Sequence, residues 1–200
     1  MSGASHLMQL GLPDIEVVPY GLHACHFYEA AADLEDALVK YFVAGLRNRE
    51  RCFWITAEPM NAARARAALQ EADVDVAAEE HNGALVRYAG TAELDGAAIV
   101  KKLLAEEERA LTLGFNGLRI TGNVTFLTDE SWHRFMEYEQ AVDDALSGRR
   151  IVGLCTYRHG VGPSNMLDVV RRHDCALERH GRGWQVMSCG PGSMALPTAL

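Results

Sequence analysis

No apolar run in the 200-residue chain approaches the ~20 residues needed to cross a bilayer, and the start carries no charged-then-apolar leader. A cytosolic protein without membrane attachment is expected. A basic excess is missing too: the formal net charge is −8, which opposes any role resting on phosphate neutralisation, so nucleic acid is not expected as a direct partner. The five cysteines, at 25, 52, 155, 175 and 189, are odd in number and include no C-x-x-C pair. Neither a disulfide framework nor a zinc ribbon is indicated, and reduced thiols are the default.

Nucleotide chemistry lacks its motifs as well. A phosphate-cradling loop after the first strand needs closely spaced backbone N–H groups and a lysine, in the pattern G-x-x-x-x-G-K-[ST]. The corresponding stretch here, "YEAAADLED", has no glycine, no lysine and four acids. No G-x-G-x-x-G sits at a strand-to-helix turn, and no G-x-S-x-G elbow appears, so a dinucleotide cofactor and a serine hydrolase both lack their signatures.

What is present, 48% hydrophobic and 23% charged residues, fits one domain with a single sizeable core. "HACHFY" reads as a strand feeding a helix in which Leu34, Leu38, Phe42 and Leu46 share a face. Strands follow at "RCFWITA", "GALVRYAG", "GLRITGN", "RRIVGLCTY" and "GWQVM". Helical patterns lie between them: "NAARARAALQEA" on propensity, and "DGAAIVKKLLAEEERALTLGF" with Ile99, Leu103, Leu104, Ala110 and Leu111 on its apolar stripe. The stretch "TDESWHRFMEYEQAVDDALSG" opens with Thr128 as N-cap and closes at Gly148. "GPSNMLDVVRRHDCALERHG" reads as one helix or a pair. The alternation predicts an α/β fold with a mostly parallel sheet and helices on both faces. Residues 1–20 and 188–200 read as flexible tails around a domain at 21–187.

In such folds, side chains at the carboxyl ends of the strands converge on a ligand crevice. Polar residues end four strands here: His26 to Glu29, Thr56 to Glu58, Thr121 to Asn123, and Thr156 to His159. The strand period of two puts His23, Cys25 and Phe27 on one face and His26 and Tyr28 on the other. With Cys155, His159, His173 and Cys175, the chain holds enough borderline and soft donors for a metal, although H-x-C is not a zinc-finger spacing and cysteines are common in buried strands. A nucleophilic cysteine would need a base, and adjacent Cys25 and His26 point apart; His173 is the candidate base. Arg119, inside an apolar strand, should emerge at an edge or pair with an acid such as Glu137 or Glu139. Trp54 and Trp132 either line a pocket or fill the core, and Tyr138, at helical spacing from Phe135, reads as packing.

Read in order, "HACHFYEAAADLEDALVKYFVAGLRNRERCFWITAEP", "GFNGLRITGN", "WHRFMEYEQAV", "LCTY" and "DVVRRHDCALERHGRGW" resemble the MEDS domain, a sensory domain of methanogens and methylotrophs also found in a dichloromethane-responsive repressor. The matching positions are His23, Cys25, Phe27 and Tyr28; Trp54, Thr56, Glu58 and Pro59; Arg119, Gly122 and Asn123; Tyr138 and Glu139; Cys155, Thr156 and Tyr157; and His173. His26 departs from the uncharged residue expected between Cys25 and Phe27.

The resemblance implies a RecA-like fold without the phosphate loop and a non-enzymatic sensor of a small molecule, such as a hydrocarbon derivative. Its crevice would be lined by His23, Cys25, Tyr28, Trp54, Glu58, Arg119, Asn123, Cys155, Tyr157 and His173, with Phe27 buried. Output would pass to a regulatory protein partner or through a homo-oligomer, in signal transduction or transcriptional regulation. No cofactor is expected. The alternatives are a metal- or thiol-dependent enzyme using His23, Cys25, Cys155 and His173, and a degenerate ATPase-fold interaction module.

Overall fold

The computed structural model describes residues 7–15, 17–89, 96–124, 129–160, 163–181 and 183–189. Its chain begins with β1 (Leu7–Gln9) and β2 (Val17–Pro19), then runs β3 (His23–Tyr28), α1 (Ala31–Arg47), β4 (Arg51–Thr56), α2 (Ala62–Glu71), α3 (Val76–His81) and β5 (Leu85–Ala89). The second half continues α4 (Gly96–Thr112), β6 (Leu118–Val124), α5 (Asp129–Leu146), β7 (Ile151–Arg158), α6 (Pro163–Val170), β8 (Cys175–His180) and β9 (Gly183–Cys189). β1 and β2 pair with each other, and the other seven strands form one sheet of order β5-β4-β6-β7-β3-β8-β9. Every neighbouring pair is parallel except the closing hairpin of β8 and β9.

Strand alternation sorts the core into two layers. Ala24 and Tyr28 of β3, with Trp54, Val152 and Leu154, pack against Leu34, Leu38, Tyr41 and Phe42 of α1. Cys25 on the opposite face packs with Phe135 and Met136 of α5, Cys155 and Tyr157 of β7, and Val169 of α6. Phe53, Ile120 and Ile151 complete that second layer against Leu103 of α4 and Val142 and Leu146 of α5. Each fully buried Leu or Phe contributes about 1.5–3 kcal/mol, so strand parity alone selects which helices cover which face. α5 ends at Leu146, two residues before Gly148, whose φ of +71° suits a glycine past a helix terminus. Thr128, expected as its N-cap, lies outside the described residues.

Three expectations are corrected. The stretch 162–181 is not helical throughout: only Pro163–Val170 is, and "CALERH" is β8, paired with β3 through Ala24↔Cys175, Cys25↔Ala176 and His26↔Leu177. Alanine, leucine and glutamate favour helix intrinsically, but Cys175, Ala176 and Leu177 are buried on successive faces, as a strand covered on both sides requires. A further short helix, α3, follows α2. Leu111 is exposed, not on the apolar stripe of α4. The described part of residues 1–20 is not a tail, because Leu10, Leu12 and Val18 are buried in the core shared with α1.

Candidate functional site

The polar residues at the strand carboxyl ends do converge, but mainly on one another. Tyr28 donates its hydroxyl hydrogen to Asn123 Oδ1 at 3.3 Å, and Thr156 Oγ1 donates to the same oxygen at 3.3 Å. Asn123 Nδ2 in turn donates to the Glu58 carbonyl at 3.0 Å. A closed seam therefore joins the ends of β3, β6 and β7 to the turn after β4. Beyond it, toward β8, lies a cleft of about 360 Å3 lined by residues including His26, Phe27, Glu29, His159 and Arg179. Arg179 is bound there to Asp33 at 3.1 Å, and Asp33 accepts from the Ala30 amide at 3.2 Å. The Asp33 carboxylate thus occupies the start of α1, where backbone N–H groups would otherwise favour an anion.

Arg119 plays a different part. Its Nε donates to Glu50 Oε2 at 2.5 Å, Nη1 to the carbonyls of Leu10 and Tyr41 at 2.8 Å each, and Nη2 to the Gln9 carbonyl at 2.7 Å and Met8 Sδ at 3.5 Å. Tyr20 donates to the remaining Glu50 oxygen at 3.0 Å. Gly45 makes room for this node, since a Cβ there would stand 2.6 Å from Arg119 Cδ. The partner is Glu50, not Glu137 or Glu139, and the guanidinium, facing the amino ends of the strands, pins the N-terminal segment to the sheet.

A second buried polar group lies beneath the sheet. His23 opens β3, Cys155 sits in β7, His173 lies in the turn before β8, and Glu139 comes from the core-facing stripe of α5. One ligating atom from each falls within 4.8 Å of all the others, and all four residues are buried. His23 Nε2 is 3.4 Å from Cys155 Sγ and 3.5 Å from Glu139 Oε2, and His173 Nε2 is also 3.5 Å from Glu139 Oε2. The imidazoles lie 4.0 Å apart between centroids. Asp174 clamps the backbone of His23, accepting from its amide at 2.9 Å and donating its own amide to the His23 carbonyl at 2.8 Å.

The other ring nitrogens are engaged outward. His23 Nδ1 meets Asp143 Oδ1 at 3.3 Å, and His173 Nδ1 meets the Val169 carbonyl at 2.7 Å. With these oxygens as acceptors, the network assigns the proton of each neutral ring to Nδ1, and both Nε2 lone pairs face the interior. Burial pushes His23 down to about 3 and His173 well below its ordinary value, the latter also through His23. Neutral imidazoles make no ion pair with Glu139, whose carboxyl burial pushes up to about 7. The Tyr157 hydroxyl is near enough to favour ionised Glu139, yet no hydrogen bond of proper geometry forms. Among the described residues, Glu139 Oε2, His173 Nε2 and the Tyr157 hydroxyl have no hydrogen-bond partner.

Several expected site residues are relocated accordingly. His23, Cys25 and Tyr28 are buried, whereas Phe27, expected inside, is only partly buried and lines the cleft. Tyr28, Glu58 and Asn123 belong to the strand-end seam; Trp54 is core, stacked on Phe42 at 4.4 Å. His23, Cys155, Tyr157 and His173 meet in the buried centre. Cys25 lies in the same layer, but its sulfur is not among the four converging donors, and burial pushes both its thiol and that of Cys155 well up. Such thiols are not nucleophilic at neutral pH. Glu139 as a member of the centre and Asp143 as support for His23 were not anticipated. Their signal was available: Phe135, Glu139 and Asp143 recur every four residues along the core-facing stripe of α5, where a carboxyl needs a reason.

The sequence model of a family described as MEDS, the methanogen/methylotroph, DcmR sensory domain, matches residues 22–174. Comparison with curated protein sequences finds no match. Among solved structures, a KaiC-like protein from the hyperthermophilic archaeon Pyrococcus horikoshii OT3 is similar, with a TM-score of 0.65 at 11% identity, over 91% of this chain and 85% of that one. The likeness shows the fold, RecA-like as expected.

Proposed function

This chain belongs to the MEDS family of sensory domains, and on that premise we propose that it receives a small molecule at the buried centre between β3, β7 and α5, and that it signals without catalysing a reaction. One observation carries the reading. Three buried polar atoms, Glu139 Oε2, His173 Nε2 and the Tyr157 hydroxyl, lack hydrogen-bond partners among the described residues, beside an apolar cluster. Native proteins rarely leave such groups unmade, because each costs about 1–3 kcal/mol, and a ligand that satisfies them recovers that energy. α5 contributes Glu139 to the centre and packs against α4 and α6, so occupancy would bias its position and the surface offered to a protein partner or a second copy. A ligand acts in this way only by binding two arrangements of α5 unequally.

Among the described residues no helix is long and apolar enough to cross a membrane, which agrees with a cytosolic sensor. The test is thermal-shift screening with one- to three-carbon hydrocarbon derivatives, including halogenated and hydroxylated ones, followed by hydrogen exchange with any hit. The expected result is a stabilising compound whose effect shrinks in Tyr157→Phe and which slows exchange in α5. An equal shift in the variant, or a hit that protects only the strand-end cleft, would sink the assignment to this centre.

A further inference from the structure

We propose that His23, Glu139, Cys155 and His173 together bind one divalent transition-metal ion of the zinc class. The proposal deepens the sensory reading by giving the centre its chemistry, and it rests on that reading for the site's purpose, not for its geometry.

Three of the six donor separations already match a tetrahedron around a single ion, and all six lie within 4.8 Å. Bonds of about 2.0–2.3 Å to nitrogen, oxygen and sulfur place neighbouring donors roughly 3.3–3.8 Å apart. His23 Nε2 to Cys155 Sγ is 3.4 Å, and both imidazole Nε2 atoms are 3.5 Å from Glu139 Oε2. The four donors come from β3, the turn before β8, β7 and α5, so tertiary packing alone assembled them.

The rings are oriented as metal-bound histidines are. Each hands its Nδ1 to a backing acceptor, Asp143 Oδ1 for His23 and the Val169 carbonyl for His173, which fixes the tautomer and leaves Nε2 to coordinate. A core histidine kept only for packing has no need to aim a bare lone pair at an unpartnered carboxyl oxygen, yet His173 Nε2 and Glu139 Oε2 do this with 1% exposure or less. Two lone pairs facing each other require a proton or a cation between them.

Charge and donor type select the ion. Metal binding would release the proton of the Cys155 thiol, and with Glu139 ionised the two negative charges neutralise a divalent cation, so the loaded site is uncharged within its apolar layer. Two imidazoles, a thiolate and a carboxylate suit zinc, cobalt or their neighbours, and not magnesium or calcium, which take oxygen. Four protein donors make a closed site, in which the Glu139 carboxylate is the ligand an incoming small molecule would most readily replace.

The deciding experiment uses the full chain, stripped with a chelator and titrated with Co2+ followed by optical spectroscopy, with elemental analysis of the zinc-reconstituted protein alongside. One equivalent should bind and produce the intense visible bands of a tetrahedral site together with a near-ultraviolet thiolate-to-cobalt band. Cys155→Ser should lose the thiolate band, Cys25→Ser should keep it, and Asp143→Asn should keep the one-to-one stoichiometry with affinity lowered about 10–100-fold. No Co2+ bound by a chain with unchanged circular dichroism overturns the site, as does a thiolate band that survives Cys155→Ser or disappears in Cys25→Ser. A metal bound as described with no small molecule shifting stability sinks the sensory reading and leaves the metal site standing. A small molecule bound by chelated protein that takes up no metal does the reverse.

Discussion

Two polar groups are buried to the same depth in this molecule, and they are finished differently. Around Arg119 and Glu50, both 0% exposed, each guanidinium N–H has an acceptor and the second carboxylate oxygen takes a tyrosine hydroxyl. Around His23, Glu139, Cys155 and His173, two imidazole lone pairs face a carboxyl oxygen that has no hydrogen-bond partner among the described residues. A closed network is a structural device: its members hold β1, α1 and β6 together and have nothing left to offer a ligand. An open one retains binding capacity. Burial by itself therefore does not distinguish a staple from a site, whereas the account of donors and acceptors does.

The sharpest way to break the contrast is to cut the closed network. Glu50→Ala leaves a buried guanidinium without its counter-charge and should cost about 3–5 kcal/mol, read as a drop in the urea midpoint; a loss below 1 kcal/mol would mean that water reaches the node. The open network should respond to its guest instead. In chelated protein Glu139→Gln should change stability by less than about 1 kcal/mol, because no well-formed hydrogen bond is lost. Added Zn2+ at about 100 times its dissociation constant should stabilise the wild type by ~2.7 kcal/mol and Cys155→Ser far less; equal gains in both would place the ion elsewhere.

A smaller effect belongs to the strand-end seam. Tyr28→Phe removes one bond to Asn123 and should cost about 1 kcal/mol, without altering Co2+ spectra. If the spectra change, the seam and the centre are coupled and the two regions are not independent. The smallest effect concerns His26, whose Nδ1 meets the Leu177 carbonyl at 3.1 Å and whose ring meets Trp184 edge-on at 4.6 Å. Burial holds its pKa below the ordinary 6.5, with Asp33 opposing and His159 and Arg179 adding to the effect. The unfolded chain therefore takes up this proton more readily, so the contribution is intact above pH 6.5 and is lost as the pH falls below it. Relative to the wild type, His26→Gln should lose less stability between pH 7.5 and 5.5 in chelated protein; parallel losses would show that the site is wetter than its packing implies.

Much of this was legible in order along the chain. The strands from His23 to Arg158 and the amphipathic helices between them follow from local periodicity, and the missing glycine-lysine loop follows from composition. β8 was not legible, because its residues prefer helix until β3 offers a partner. The N-terminal segment read as a tail because "LMQL" and "VVP" are too short to show a period; their burial is visible only once α1 and Arg119 are in place. Glu139 was readable as a carboxyl on an apolar stripe, but not as the companion of His23.

By itself, then, the sequence determined that this is an α/β domain with a parallel sheet, acidic, without a phosphate loop, and carrying the ordered motifs of its family. Those properties are local, or sums over residues, and need no knowledge of what meets what. The tertiary structure alone decided that Arg119 pairs with Glu50 across 69 positions and that His23 faces Cys155 across 132. It also decided that Glu139, not Cys25, completes the buried centre. Such pairings depend on strand register and on which face a helix presents, and a shift of one residue in a strand would carry its side chains to the opposite face.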